Sequence, residues 1–289
     1  MVRRVALPLA VGMLVATSGA SAQQLSWTGT ASYSRGSYVF DAVTQSLYLS
    51  SGLQLTLGRL DVSGTIPFVL QNSGLVTVVG GTTLPTGGQD NGAIGKRQPG
   101  ETIGSGRGSG SGGGGISADS VTYRNEFTWE VGDPFFSTAL RVFEGDGVLR
   151  SVQARVSTKA PLRDVDSGVG TGQWDFGAGG TAFAALGGTF VFADVAYWWY
   201  GDMPELELVD GLTYGIGVSR AFHEGRASVM ASFLGAAATI ETMKSPASVG
   251  LGFGYIPRPG RSFSAGLALG LSESSPDLSV YAGWSLGIN

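Results

Sequence analysis

The chain is predicted to be an all-β protein, a transmembrane antiparallel up-and-down β-barrel of about twelve strands, on three observations. From about Gln24 to Asn289, runs of about ten residues are apolar at every second position, the period of a strand. The oily face of these runs is almost free of charge, while the other face is Ser, Thr and Gly rather than the Lys and Glu that coat a soluble sheet. Tight turns and longer loops take strict turns between the runs, as barrels require when one end carries short turns and the other long loops.

The strands are expected near residues 25–34, 44–57, 59–71, 134–144, 147–160, 172–186, 188–200, 211–222, 226–241, 247–257, 261–272 and 277–289. In the second, Leu47, Leu49, Leu53, Leu55 and Leu57 alternate with Ser46, Tyr48, Ser50, Gly52, Gln54 and Thr56. The last is the cleanest, with Leu278, Val280, Ala282, Trp284, Leu286 and Ile288 on one side and Ser279, Tyr281, Gly283, Ser285 and Gly287 on the other. Gly58-Arg59, Gly145-Asp146-Gly147, Gly187-Gly188, His223-Glu224-Gly225 and Pro257-Arg258-Pro259-Gly260 read as hairpin turns. These are assigned to the periplasm, and the longer connections to the cell exterior.

Before the first strand, Arg3 and Arg4, the apolar stretch Val5 to Ala16 and Ala20-Ser21-Ala22 form the three zones of a secretory signal peptide. Residues 1–22 are therefore expected to be a cleaved signal and 23–289 an outer-membrane barrel. No later stretch reaches the ~18 consecutive apolar residues of a membrane helix. The chain has no cysteine, which removes disulfides and thiolate metal sites, and no cofactor or metal is expected. Its formal charge of −4 includes both leader arginines, so the remainder is more acidic still, which argues against a nucleic-acid partner. Only 14% of residues are charged and the mean hydropathy is +0.17, values natural for a chain whose oily side faces lipid.

One connection breaks the rhythm. Asn72 to Asp133 contains the glycine tract Gly104 to Gly115, which reads as a disordered linker. Val121, Tyr123, Asn125, Phe127, Trp129 and Val131 alternate with polar residues, so this part is expected either to extend the fourth strand or to pair with Val76 to Val79.

The candidate site is the inward face. Alternation turns Asp61, Arg141, Arg155, Lys159, Asp175 and Asp194 inward, where charge is tolerated; on the lipid face near the midplane each would cost ~2–4 kcal/mol. Two readings compete: an ion-pair network that plugs a narrow lumen, or charges lining a path and setting its selectivity. The same rule turns Phe183, Phe190, Phe192, Trp198 and Tyr200 inward, to fill the lumen or to form an apolar track, while Tyr197 and Trp199 join a lipid-facing aromatic girdle. No catalytic residue is expected, and the chain is read as not an enzyme. The single histidine, His223, lies in a turn beside Glu224, Asp164-Val-Asp166-Ser-Gly168 lacks the later ligands of a calcium loop, and Gly92 to Arg97 departs from a phosphate loop at Asp90 and Arg97.

Lys159-Ala-Pro161 with Asp164, Gly170-Thr-Gly-Gln-Trp-Asp175, Tyr197 with Gly201-Asp202, and above all Gly270-Leu-Ser-Glu-Ser-Ser-Pro-Asp277 resemble the outer-membrane barrel family labelled meta-pathway of phenol degradation proteins, often called transporters. The resemblance covers roughly residues 132–289. Pro161-Leu-Arg-Asp164 departs from the family's usual Pro-Thr-Gly-Asp, and Asn289 stands where a terminal aromatic is common. The resemblance implies an outer-membrane channel or uptake porin for small hydrophobic or aromatic solutes. The partners expected are outer-membrane lipid, the barrel-assembly machinery and such a solute; the alternative is a structural or surface-interaction barrel with a plugged lumen and no transport. On this topology, protease added to intact cells is expected to cut near Gly104 to Gly115, and cleavage at the tight turns instead would reverse the assignment.

Overall fold

The structure, a computed structural model, describes residues 23–79, 82–105, 120–121 and 126–288. The expected signal peptide, most of the glycine tract, Tyr123 and Asn125 lie outside the described residues.

Twelve antiparallel strands close into a barrel: β1 (Gln23–Gly36), β2 (Thr44–Leu57), β3 (Leu60–Gln71), β4 (Phe135–Glu144), β5 (Leu149–Lys159), β6 (Asp175–Leu186), β7 (Thr189–Trp199), β8 (Gly211–Phe222), β9 (Ala227–Ala236), β10 (Ala247–Arg258), β11 (Arg261–Gly270) and β12 (Leu278–Ile288). Each pairs with its neighbours in sequence, and β12 returns to β1 from Leu25↔Ile288 to Arg35↔Leu278. At 10–14 residues the strands are long enough, when tilted, to span a hydrocarbon core.

Tight turns occupy one end. Gly58 (φ 61°) and Gly187 (φ 53°) supply the left-handed conformation that two-residue hairpins demand. Next to the β4–β5 turn the ladder steps from Val152↔Phe143 to Gln153↔Arg141, a bulge that inserts one extra residue.

Cross-strand partners point to the same side of a sheet, so the register carries one inward or outward assignment around the whole closure. Leu53 is 51% exposed on the outer face, with Ile66, Leu140, Val156, Val195, Ile216, Leu251 and Val280 on the same surface. Among the described strand residues, charges on this face fall near strand ends, as at Arg35, Arg220, Arg258 and Arg261. Outward aromatics gather toward both ends: Tyr33, Phe68, Phe176, Tyr197 and Trp199 toward the loops, and Trp27, Phe143, Phe222, Tyr255 and Phe263 toward the turns.

The buried apolar cluster does not lie in the barrel wall but among the loops. Val39 and Phe40, Leu75, Val79, Leu84, Ile94, Ile103 and Val121, Met203, Leu206 and Leu208, and Ile240 and Met243 pack together at the loop end. The long connection supplies the centre of this cap with a hairpin (Thr77–Val79 against Thr82–Leu84) and a short helix (Asn91–Gly95). Val76 to Val79 thus pairs within its own loop. The extension of β4 is confined to Thr128–Val131, which continues the β3 ladder against Phe68–Gln71, while Val121 joins a parallel pair with Gly104–Ser105. The ninth strand stops at Ala236 rather than near residue 241, because Thr239, Ile240 and Met243 turn into the cap core.

In lipid, Leu53→Arg is expected to weaken folding by up to about 2–4 kcal/mol, while Gln54→Arg, on the inner face, is expected to be tolerated. Urea titrations of both variants in vesicles check this; equal losses would contradict the register.

Candidate functional site

The lumen has two unlike walls. β8 to β12 turn Gly217, Ser219, Ser228, Ser232, Gly250, Gly252, Ser264 and Gly266 inward, and β1 and β2 add Thr28, Thr30, Ser32 and Ser50. β3 to β7 carry the charged and aromatic residues. Small side chains on the first wall leave space beside it. A cavity of about 480 Å³ in the turn half is lined by Thr28, Ser228, Ser264 and Arg226, and one of about 390 Å³ in the loop half by Ser32, Ser34, Tyr48, Val76 and Thr83. They share Thr30, Ser50 and Thr65 in their linings, and the upper one ends against the cap hairpin.

On the second wall the charges are paired with neighbours rather than set across the lumen. Arg155 Nη2 lies 3.0 Å from Asp194 Oδ2, which also accepts a hydrogen bond from Thr181 Oγ1 at 2.7 Å. This pair is partly solvated, at 36% and 28% side-chain exposure. Arg141 bridges to Glu144 at 2.6 Å near the turns, and Asp61 accepts from Thr56 Oγ1 at 2.5 Å. At the loop end Lys159 is wholly buried, with Nζ 3.0 Å from Asp175 Oδ2 and 3.5 Å from Asp133 Oδ2, and it donates to Thr171 Oγ1 at 2.5 Å. Asp133 Oδ1 takes the backbone N–H groups of Leu162 and Arg163, and Asp175 Oδ1 that of Gly201. This trio ties the entry to β4, the end of β5 and the start of β6 to two loops. Nothing in the sequence singles out Asp133, since Gly132-Asp-Pro134 reads as an ordinary connection.

The inward rings lie along the wall. Phe183 stacks on Phe190 with centroids 5.6 Å apart, Phe192 rests on Gly217, and Trp198 covers Gly177 and stacks on Tyr200 at 6.3 Å. None of these residues lines either lumen cavity. Tyr200 sits just past β7, packed against the cap core and bordering a cavity of about 670 Å³ between the loops; burial, reinforced by Asp175, pushes its phenol above the ordinary range. His223 lies exposed in the turn before β9, Asp164 to Gly168 form a plain turn closed by Gly168, and Gly92 to Gly95 lie in the cap helix.

The cap is fastened by Arg97, 4% exposed, which donates to the carbonyls of Glu101 and Thr242 at 2.6 Å each and reaches Glu273 at 3.3 Å. The other side of the cap is held by the backbone exchange of Ile103 with Val39 and Asp41.

No family model and no curated protein matches the chain, so the resemblance drawn above stays an expectation. Among solved structures, the chain is similar to an outer membrane channel from Pseudomonas putida F1, with a TM-score of 0.62 at 12% identity over 93% of this chain and 97% of that one. The KdgM porin gives a TM-score of 0.47 at 7% identity over 91% and 99%, and the CymD monoaromatic hydrocarbon channel 0.44 at 10% over 92% and 88%. At such identities the first of these shows a shared barrel fold.

Removing Lys159 strands two carboxylates in a buried site, so Lys159→Met is expected to cost about 3–5 kcal/mol. Arg155→Gln breaks a half-solvated pair and is expected to cost about 1 kcal/mol or less. Unfolding of both variants in one detergent measures the difference, and equal losses would show that burial does not separate the two pairs.

Proposed function

We propose that the protein is an outer-membrane channel, exported by residues 1–22, with its turns in the periplasm and its cap outside, and that it passes small polar solutes along the Ser, Thr and Gly wall. The two lumen cavities that meet the same Thr30, Ser50 and Thr65, both rich in hydroxyl side chains, carry this reading. The outer face, charged only near strand ends and with aromatics toward both, suits a bilayer and its two interfaces. The fold shared with the Pseudomonas putida channel is consistent with that setting. A hydrophobic or aromatic solute fits less well, because Phe183, Phe190, Phe192 and Trp198 are stacked on one another or on glycines and line neither cavity.

The cap favours a second reading, a closed barrel that displays a folded surface, since its hairpin stands in the mouth and its core joins four connections. Current through planar bilayers separates the two. The channel reading expects a small conductance in the wild type. It also expects a rise in Arg97→Gln, because a Gln side chain cannot reach both carbonyls and Glu273 and the cap loosens. No current from either protein would favour the closed barrel.

A further inference from the structure

The two lumen walls differ in whether the protein already satisfies their polar groups. On the wall from β3 to β7 the charged side chains are met: Arg155 by Asp194, Asp194 also by Thr181, Arg141 by Glu144 and Asp61 by Thr56. On the other wall Thr28, Thr30, Ser50, Ser228, Ser264 and Ser285 turn inward and all line the 480 Å³ cavity, Thr30 and Ser50 lining the 390 Å³ cavity as well. Among the described residues, the hydroxyls of these six have no hydrogen-bond partner in the protein. Their bonding capacity is left to whatever occupies the lumen.

The register sets these hydroxyls in rows. Thr28 faces Ser285, which faces Ser262 on the next strand, and Thr30 faces Ser50. Such partners share one face and stand one strand spacing apart, about 4.8 Å. A hydroxyl both donates and accepts, so a row of them matches a molecule whose own groups do both at close intervals along a short chain. An ion gains less, because it gives up its hydration shell cheaply only where fixed opposite charge or a ring of aligned dipoles replaces it. Among the described residues, Arg226 is the one charged side chain lining either cavity, and it lies exposed at the turn end.

We propose that the lumen selects small uncharged polyhydroxylated molecules, polyols and simple sugars, over ions of either sign, with the unpartnered hydroxyls of the Ser and Thr wall as the groups that bind them in passage. The inference rests on the channel reading and names the solute class for the same lumen.

The test is osmotic swelling of liposomes that carry the full barrel, in sorbitol, potassium gluconate and glucosamine hydrochloride, solutes of equal carbon count that differ in charge. Sorbitol is expected to enter faster than either ion by about threefold or more. In planar bilayers under a KCl gradient, the permeabilities of K+ and Cl− are expected to stay within about threefold of each other. The double variant Thr30→Val, Ser50→Ala removes two hydroxyls that line both cavities, with little change of shape. Its ratio of sorbitol entry to KCl conductance is expected to fall by about threefold or more. Heat-modifiable migration on gels reports whether the variant has folded, and the wild-type solute series decides the matter if it has not. Entry of gluconate or glucosamine as fast as sorbitol, a wider preference for one ion, or an unchanged ratio in the folded variant overturns the proposal while leaving the channel reading standing. Absence of both swelling and current overturns the two together.

Discussion

Everything else in this molecule depends on one constraint: each strand's backbone N–H and C=O groups must be met by a neighbouring strand, and the last strand must meet the first. In hydrocarbon an unmet backbone group costs several kcal/mol, so an open sheet edge is not a stable answer. Closure makes the inward or outward parity of one strand binding on all twelve. The hydroxyl-lined cavity, the paired charges and the flattened rings follow from that parity together with the choice of side chain on each strand.

Two kinds of stabilisation meet at the loop end. The barrel wall is one sheet thick and contributes no residue to the buried apolar cluster, so packing cannot hold it as it holds a soluble domain. The cap has a small core of its own, assembled from connections distant in sequence and pinned at its edge by Arg97. The Lys159–Asp133–Asp175 trio sits where the two regimes join. Its charges are wholly or almost wholly buried, and backbone N–H donors satisfy the outer carboxylate oxygens, the arrangement in which buried ions are tolerated.

Much of the barrel was legible because period two and tight turns are local signals. Leu53 and Gln54 declare opposite faces from their neighbours alone, and Gly58-Arg59 fixes the register of the strands it joins. The end of β9 was not, since the residues from Ala236 to Ile240 are mostly small or apolar in both phases and give no sign of where alternation stops. Nor was the cap: its residues are brought together by tertiary contact without any period, and the sequence around Arg97 carries no local signal beyond its departure from a phosphate loop. The inward charges were legible one by one, but their partners were not, because pairing depends on which rotamers meet across the ladder.

The seam between β1 and β12 also bears on how the chain reaches this state. Leu25 and Ile288 lie at opposite ends of the described chain, whereas every other ladder joins strands that follow one another in sequence. Drawing such ends together in a free chain costs on the order of 5 kcal/mol in entropy. Hairpins zipped in succession avoid much of that cost, because the right-handed twist of the growing sheet curls its two margins toward each other. The seam is then the last ladder to form, and until it does the nascent sheet carries two adhesive edges. Those edges are the point at which a second chain could add in place of the first strand.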